Sequence, residues 1–250
     1  MASLLEFRNV TSASPDVEKL ADFTFSLSGG ENAVFFGIEG SGCKSIAQLV
    51  FGLAGGHAGD ILYKGRSILD LDYLGRLTYK SEIGYLHGDF GLQSNLSVEQ
   101  NISLRLEYYS HLSSDEIRDT ASRIMKELHI DERRDARPVE LTQSEILRAA
   151  YARAVVRDPD LLIIEHAFVG LSPLNIASFM NVLIKRISNP GKSILFVTYE
   201  PEKFVDFSDA FYMLYRGGIV FHGTRREFLD SDNPYLLQYR NISIEGPMKL

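Results

Sequence analysis

A glycine-rich stretch, FFGIEGSGCKS, contains the residue types of a loop that binds phosphate. Gly37, Gly40 and Gly42 would let backbone N–H groups turn toward an anion, as in the pattern G-x-x-x-x-G-K-[ST]. The stretch departs from that pattern because Cys43 follows the last glycine and the lysine comes one residue later, at Lys44. The residues therefore predict either a nucleotide-hydrolysing site or a copy that has lost part of its chemistry.

The elements that must position this loop begin with short strands. LLEFRNV and ADFTFSL predict two strands, and Gly29–Gly30 predicts the turn after them. NAVFF is an apolar run ending in glycine, as a buried strand would. GDILYKG and IGYL predict two further strands. A helix after the loop is predicted from apolar residues at helical spacing: Ile46, Leu49, Val50 and Leu53.

The rest of the chain begins with a predominantly helical region from Ser97 to about Arg157. Ser113 and Glu116 have capping-box spacing at the start of one helix, and QSEILRAAYARAVV predicts another. DLLII and SILFVT predict buried strands on either side of a helix over LNIASFMNVLIKRI. AFYMLYRGGIVFHG predicts a hairpin with its turn at Gly217–Gly218, followed by RREFLD and a polar tail.

These elements predict an α/β fold with strands at both ends of the chain and a helical insert between them. Strand–loop–helix units that end in apolar strands favour a mostly parallel core sheet with right-handed crossovers. The phosphate-binding loop would then lie at the C-terminal end of the third strand, at a helix N-terminus.

Composition narrows the functional classes. The chain has 250 residues, a net charge of -7 and a single cysteine. The negative net charge argues against a general nucleic-acid binder, and a single cysteine excludes an internal disulfide. The histidines do not cluster at zinc-like spacing, so we expect no metal site of that kind. We also expect no signal peptide and no membrane-spanning run, so any membrane role would come through a partner.

Several segments, in order along the chain, resemble the successive motifs of ABC-type ATPase subunits. They are GIEGSGCKSIAQLVFGL, IGYLHGDFGLQSNLSVEQNI, LTQSEILRAAYARAVVRDPDLLIIEHAFVGLSP and SILFVTYE, and the resemblance runs from Phe7 to the tail. RAAYARA, AFVGLSP and YLLQYRNISIEGP look most like the ATPase subunits of Mla/Mce-type phospholipid transporters. The resemblance implies a P-loop NTPase-type fold with an N-terminal antiparallel β subdomain. It also implies a RecA-like core over about 1–87 and 158–225, a helical subdomain over about 88–157 and a C-terminal tail over 226–250.

The family's P-loop can be compared position by position with this one. The nucleotide-binding positions are Gly37, Gly40, Ser41, Gly42, Cys43, Lys44 and Ser45. The family's lysine position holds neutral Cys43, and its magnesium-ligating hydroxyl position holds Lys44. The apolar face of the next helix matches the family without an insertion, so the lysine is displaced by about 100° around the helix. Lys44 could replace part of the magnesium charge, or it could be a solvated lysine in an unused loop.

Other positions implied by the resemblance are also altered. The distal strand ends in Glu165 and His166, where the family has an aspartate that holds magnesium and a glutamate that polarises water. The loop glutamine is matched by Gly88, and the histidine that contacts the γ-phosphate is matched by Tyr199. VTSASP offers no aromatic residue to stack on adenine. No member of the family's catalytic set is therefore expected to be intact; His166 could act as a base or be a polar residue at a vacated strand end.

The family's signature sequence, L-S-G-G-Q, is also altered. Its positions are occupied by Leu141, Thr142, Gln143, Ser144 and Glu145. The hydroxyl of Thr142 and the helix N-terminus could still contact phosphate, but the glycines are missing and Glu145 adds negative charge. Ser172 replaces the aspartate of the loop that follows the distal strand.

The resemblance predicts a degenerate ATP-binding subunit on the cytoplasmic face of the inner membrane. ATP is the ligand that the resemblance implies, with magnesium contacts weakened. Expected partners are an integral membrane permease, a second ATPase subunit that is either another copy of this chain or an intact sister and, through the complex, an MCE-type lipid-binding subunit; no nucleic acid is expected. Leu86 to Leu92 and Tyr108 to His111 are candidates for the permease-binding surface, or for ordinary packing. Two alternatives stay open: an active ATPase with rearranged chemistry, and an interaction module outside a transporter.

Overall fold

The computed structural model describes residues 3–12, 18–53 and 56–249. It divides into two compact units. Unit 1 is Met1–Leu71 with Ser193–Leu250, and unit 2 is Asp72–Lys192. Within the described ranges, none of the helices has both the length and the apolar character needed to cross a bilayer.

The strands and helices alternate along much of the chain. In chain order they are β1 (Ser3–Ser12), β2 (Leu20–Ser28), β3 (Ala33–Gly37), α1 (Cys43–Val50), β4 (His57–Tyr63), β5 (Arg66–Ser67), α2 (Tyr73–Ser81), β6 (Ile83–His87), α3 (Val98–Tyr109), α4 (Ser114–Glu127), α5 (Gln143–Val155), β7 (Leu161–Glu165), α6 (Pro173–Ile187), β8 (Ser193–Thr198), β9 (Ala210–Tyr215), β10 (Gly218–Thr224), α7 (Arg225–Asp230) and α8 (Pro234–Arg240). The predicted α/β class is confirmed.

Unit 1 contains two groups of paired strands. An antiparallel sheet has the order β2-β1-β4-β5, which is the predicted N-terminal β subdomain. In the other group, β3 is parallel to both of its neighbours, β8 and β9, and β10 pairs antiparallel with β9. Aromatic residues pack between the two groups, with ring centroids 4.8 Å apart for Phe25 and Phe35 and 4.9 Å apart for Phe35 and Tyr212. This core supports β3, which leads directly into the glycine-rich loop.

Unit 2 contains the parallel pair β6 and β7 together with the helices α2 to α6. Ser113 and Glu116 form the predicted capping box at the start of α4. Phe179 on α6 packs against Tyr151 of α5 and Phe168, at ring-centroid distances of 5.1 and 5.7 Å. These contacts hold the C-terminal half of α5 and the segment that follows β7 against α6.

The structure differs from the sequence-based expectations at several places. The hairpin turn is at Arg216–Gly217 rather than Gly217–Gly218, because both turn residues have positive φ, as this tight turn requires. Leu53 lies beyond α1 and is 67% exposed, so it is not part of the helix's apolar face. The sequence analysis did not predict α2, and the predicted polar tail contains α8, which buries Leu236.

Candidate functional site

The glycine-rich loop connects β3 to α1 in unit 1. Gly40 and Gly42 have φ values of +75° and +105°, which favour glycine. A Cβ atom on Gly42 would lie 2.8 Å from the carbonyl oxygen of Lys19, so the backbone there approaches another segment closely. Helix α1 begins immediately afterwards with its N-terminal N–H groups directed toward the loop. The backbone thus has the form of an anion-binding cradle.

A carboxylate of the chain itself lies in this cradle. The N–H of Gly42 donates to Oε2 of Glu18 at 2.8 Å, and the N–H of Gly40 donates to Oε1 at 3.3 Å. The hydroxyl of Ser45 donates to the backbone carbonyl of Glu18 at 2.5 Å. Two of the loop's amides and one of its hydroxyls are therefore bound to a single residue that the sequence analysis did not identify.

The loop is also fixed from the side of the β9–β10 turn. The N–H of Gly217 donates to the carbonyl of Ser41 at 2.8 Å, and the N–H of Ala21 donates to the carbonyl of Gly217 at 3.0 Å. The segment that follows Glu18, the loop and the hairpin turn consequently form one hydrogen-bonded arrangement within unit 1. This arrangement holds the backbone of Glu18 beside the loop.

The cysteine and lysine of the loop have different surroundings. Cys43 is buried, whereas Lys44 is half-buried and forms a side-chain hydrogen bond with Tyr199. Burial opposes the ammonium charge, but the oxygen of Tyr199 and the carboxylates of Glu18 and Glu39 outweigh it and raise the pKa of Lys44. The structure therefore brings Lys44 together with Tyr199, the residue at the family's histidine position.

Helix α8 contacts the backbone of Tyr199. The hydroxyl of Tyr239 donates to the carbonyl of Tyr199 at 2.7 Å, and the ring of Tyr239 packs edge-on against Phe36 at 5.4 Å. The C-terminal segment, which was predicted as a polar tail, thus has a positioning role at the candidate site in unit 1.

In unit 2, the two residues that end the distal strand differ in environment. Glu165 is buried and accepts a hydrogen bond from the hydroxyl of Tyr85 on β6. Burial and this hydrogen bond raise the pKa of the Tyr85 hydroxyl well above its ordinary value. His166 is half-buried and has a left-handed backbone with φ of 50°. The carboxylate at the family's aspartate position is thus engaged by a tyrosine.

Gly88 lies directly against the distal strand. A Cβ atom at Gly88 would lie 2.8 Å from the carbonyl oxygen of His166 and 3.4 Å from its Cβ. A longer side chain at this position, such as the family's glutamine, requires the backbone of one of the two segments to shift. The structure thus brings Gly88 and His166 together and explains why glycine occupies this position.

The altered signature segment forms the start of α5. Thr142 is the N-cap, and its hydroxyl accepts from the N–H of Glu145 at 3.3 Å, while the carboxylate of Glu145 accepts from the N–H of Thr142 at 2.8 Å. Arg133 donates to the other carboxylate oxygen at 2.7 Å. These hydrogen bonds, first with Thr142 and then with Arg133, lower the pKa of Glu145. The hydroxyl expected to contact phosphate is therefore used in a capping box.

The remaining candidate positions lie in unit 2. Ser172 caps α6 by accepting from the N–H of Asn175 at 3.3 Å. Within the segment Leu86 to Leu92, Arg153 donates to the carbonyls of Gly91 and Phe90 at 2.6 and 2.8 Å. Tyr108, near the end of α3, is 77% exposed.

A cavity of about 410 Å³ also lies in unit 2, among α4, α5 and α6, but none of the candidate nucleotide-site positions lines it. Its arginines are engaged by the chain. Arg148 donates to the carbonyl of Leu128 and to Ser178 at 3.1 and 2.8 Å, and Arg186 donates to the carbonyl of Pro159. The cavity is therefore separate from the phosphate chemistry that the sequence predicts.

As folded, the loop does not fit the phosphates of a nucleotide, because the carboxylate of Glu18 already accepts from two of its amides. The sequence analysis identified Glu145 but not its capping role, although T-x-x-E before a helix is a capping-box pattern. Glu18 and Tyr85 gave no local signal.

Within residues 3–12, 18–53 and 56–249, His, Cys, Asp and Glu side chains form no group of three or more that could hold a metal ion. Part of VTSASP, residues 13–15, lies outside the described residues.

The fold and the glycine-rich loop define the chain as an α/β protein with a P-loop between a parallel strand and a helix. A family model described as "ABC transporter" matches residues 20–168, and the chain belongs to that family.

Three curated relatives illustrate the range of the family. The lipopolysaccharide export system ATP-binding protein LptB of Escherichia coli K12 is 24% identical over 92% of this chain and 94% of that protein. The intermembrane phospholipid transport system ATP-binding protein MlaF of Haemophilus influenzae is 23% identical over 99% of this chain and 94% of that protein. The methionine import ATP-binding protein MetN 1 of Staphylococcus aureus N315 is 25% identical over 90% of this chain and 67% of that protein.

Two solved structures share the fold. cbiO1 from Clostridium perfringens, part of the ABC transporter complex cbiONQ, has a TM-score of 0.80 at 22% identity and covers 93% of both chains. The ATP-binding cassette MJ0796, a dimer in a post-hydrolysis state bound to ADP and Pi, has a TM-score of 0.79 at 21% identity. It covers 89% of this chain and 99% of that one.

Proposed function

We propose that this chain is a degenerate ATP-binding subunit of an ABC transporter, with a structural or regulatory role and weak or absent ATP hydrolysis. The observation that carries the proposal is the state of the loop's one cation. Lys44 forms a hydrogen bond with Tyr199 and lies in the field of Glu18 and Glu39, while Cys43 occupies the lysine position. A cation that already interacts with three groups of its own chain is poorly placed to neutralise the γ-phosphate while it is being transferred.

Unit 2 supports the same conclusion independently. Hydrolysis needs a carboxylate to hold the metal and a base to orient water. Here the buried Glu165 carboxylate accepts from Tyr85, and Gly88 packs too closely on His166 to be replaced by a glutamine without movement. Removal of one well-placed catalytic group commonly costs about 10²–10³ in rate, although losses within one unit of chemistry do not add. Several altered positions together predict turnover far below that of an intact enzyme.

Phospholipid transport of the Mla/Mce type is the substrate class that we propose. The alignment with MlaF covers 99% of this chain, so it includes the C-terminal segment whose Tyr239 positions Tyr199. LptB also belongs to a system that exports a lipid-containing molecule. MetN 1, a methionine import protein, has a comparable sequence identity to this chain. The choice of a lipid therefore depends on the resemblance of RAAYARA, AFVGLSP and YLLQYRNISIEGP to the Mla/Mce-type subunits.

The proposed partners are a membrane-embedded permease at the cytoplasmic face of the inner membrane, a second ATPase subunit and, through the complex, an MCE-type subunit. The proposed permease-binding surface consists of Leu86 to Leu92 and Tyr108 to His111. Arg153 fixes the first segment through the carbonyls of Phe90 and Gly91, and the ring of Tyr108 is mostly exposed. A loop fixed by hydrogen bonds and an exposed aromatic residue are both suited to contacting a helix of another protein.

The hydrolysis claim is tested by measuring phosphate release from ATP by the purified full-length chain with magnesium. We expect no release above the background of a heat-denatured sample. Turnover that is lost in both Lys44→Ala and His166→Ala, with folding unchanged, would instead establish an active ATPase with rearranged chemistry.

The transporter claim is tested by co-purification of the tagged chain with membrane proteins from its native host. We expect capture of a permease, reduced at least severalfold by Tyr108→Ser. Val139→Ser is the matched control, because Val139 is also an apolar residue of unit 2 and is 86% exposed. If no permease is captured by the wild-type chain, the interaction-module alternative replaces the transporter proposal.

A further inference from the structure

We infer that Glu18 is an internal anion that occupies the phosphate position of the loop, so that ATP binds only by displacing its carboxylate. The inference deepens the proposed function, since it assumes that the loop descends from a nucleotide-binding one. It names the Glu18 carboxylate as the group that occupies the loop, and its displacement as the barrier to ATP binding. Loss of hydrolysis alone requires neither of these features.

The two carboxylate oxygens of Glu18 accept from different glycines of the loop, Gly42 at 2.8 Å and Gly40 at 3.3 Å. P-loops use backbone N–H groups of this kind to hold phosphate oxygens. A carboxylate is the protein's own group that best imitates such an anion, because it offers two acceptor oxygens and a negative charge.

The contact between Glu18 and the loop is built into the fold of unit 1. The backbone carbonyl of Glu18 accepts from Ser45, and the next residue, Lys19, lies so close to Gly42 that only a glycine fits there. Two residues after Lys19, the N–H of Ala21 donates to the carbonyl of Gly217. The backbone on the C-terminal side of Glu18 is thus fixed, which distinguishes it from a surface carboxylate that meets an amide by chance.

The charges around the loop also favour a single anion. The ammonium of Lys44 is attracted electrostatically by Tyr199, Glu18 and Glu39, so the internal carboxylate is one of the groups with which the loop's cation interacts. A phosphate placed on the same amides would meet a like charge within a few ångströms, which disfavours joint occupancy. ATP and the carboxylate of Glu18 therefore compete for Gly40, Gly42 and the nearby ammonium.

The test measures ATP affinity by calorimetric titration of the full-length chain in EDTA, so that hydrolysis and metal binding do not contribute. Glu18→Ala removes the carboxylate. Glu18→Gln keeps the size, but its amide nitrogen cannot accept a hydrogen bond, so at least one contact is lost. Glu39→Gln is the matched control, because it also removes one negative charge near Lys44 from the loop itself, and no hydrogen bond joins Glu39 to the Gly40 or Gly42 amides.

We expect ATP to bind Glu18→Ala and Glu18→Gln at least about tenfold more tightly than wild type, which corresponds to about 1.4 kcal/mol, and Glu39→Gln to resemble wild type. Equal affinity in wild type and both Glu18 variants overturns the inference, as does an equal gain in Glu39→Gln. Absence of binding in every variant also overturns it, because the carboxylate would then not be what excludes ATP. The proposed function is judged separately by phosphate release and co-purification, so the two can fail independently.

Discussion

Two helix N-termini of this protein, α1 at the P-loop and α5 at the altered signature, each have a glutamate of the chain where the family resemblance predicts phosphate contacts. At α5 the glutamate is local: Glu145 is three residues from Thr142 and closes a capping box with it. At the P-loop the glutamate comes from far along the chain, because Glu18 lies 22 and 24 residues before its partners Gly40 and Gly42. The first arrangement forms with the helix itself, whereas the second requires unit 1 to be folded.

The two glutamates also differ in what a competing anion would meet. Gly40 and Gly42 have positive φ and carry no side chains, so removal of Glu18 leaves an open cradle. At α5 the corresponding positions are Gln143 and Ser144, and the N-cap hydroxyl of Thr142 remains. Removal of Glu145 would leave an ordinary helix N-terminus, which binds anions weakly. Of these two helix N-termini, the P-loop is therefore the one that we expect to bind an anion once its glutamate is removed.

The largest expected effect comes from Glu18→Ala. It removes two hydrogen bonds to a charged acceptor, and we expect the free energy of unfolding to fall by about 1.5–3 kcal/mol in urea denaturation. Pyrophosphate should restore part of this loss by filling the cradle. Glu145→Ala should show no such rescue. Equal rescue in both variants would mean that pyrophosphate acts on the protein generally rather than at the P-loop.

Gly88→Gln tests whether packing, rather than charge, prevents a glutamine at the position of the family's loop glutamine. The new Cβ would lie 2.8 Å from the carbonyl of His166, so we expect a loss of about 1–3 kcal/mol of stability and no gain in ATP hydrolysis. Gly88→Ala should show most of the same loss, because the clash is at Cβ. Unchanged stability in both variants would show that the segment shifts freely.

Thr142→Ala is expected to cost about 1 kcal/mol, the usual value for a lost N-cap. Thr142→Ser keeps the hydroxyl and should stay close to wild type in the same urea denaturation. A comparable loss in the serine variant would point to the methyl group, not the cap, as the stabilising feature of Thr142.

The smallest expected effect is the pH dependence of Glu145. Its pKa is lowered on folding, so its contribution to stability is present above the unfolded value near 4.5 and is lost as the pH falls through the folded value. The stability difference between wild type and Glu145→Gln should therefore shrink toward zero in this acidic range. Glu116→Gln is the comparison, because hydrogen bonds with Ser113 also lower the pKa of Glu116 but no arginine contributes, so its stability difference should shrink in the same direction. A difference that grows as the pH falls would contradict the assignment.

The regular elements were largely predictable because their signals are local. Alternation predicted β2, continuous apolar runs predicted β3, β7 and β8, and capping spacing predicted the start of α4. Helix α2 was missed because Tyr79 is its only side chain that is buried, so it carries little periodic signal. Helix α8 was missed although Asn233 and Pro234 are a cap and first-turn pair.

The site was less predictable because its occupants are distant in sequence. The altered motif positions could be read directly, but the partners Glu18 and Tyr85 could not. Tyr85 lies 80 residues from Glu165, and the two meet only because β6 and β7 are parallel with His87 in register with Glu165. Glu18 meets the loop only through the tertiary structure of unit 1. Sequence patterns show which family groups are missing, and the fold shows which groups take their partners.

The most direct test of the internal anion is the amide spectrum of the protein without nucleotide. In ¹⁵N–¹H correlation spectra, Glu18→Gln should shift the Gly42 resonance clearly, because the acceptor of its hydrogen bond changes, while Glu39→Gln, which shifts its chain neighbour Gly40 in any case, should leave Gly42 nearly in place. A Gly42 resonance that stays unchanged in Glu18→Gln, or that moves equally in Glu39→Gln, would contradict the account.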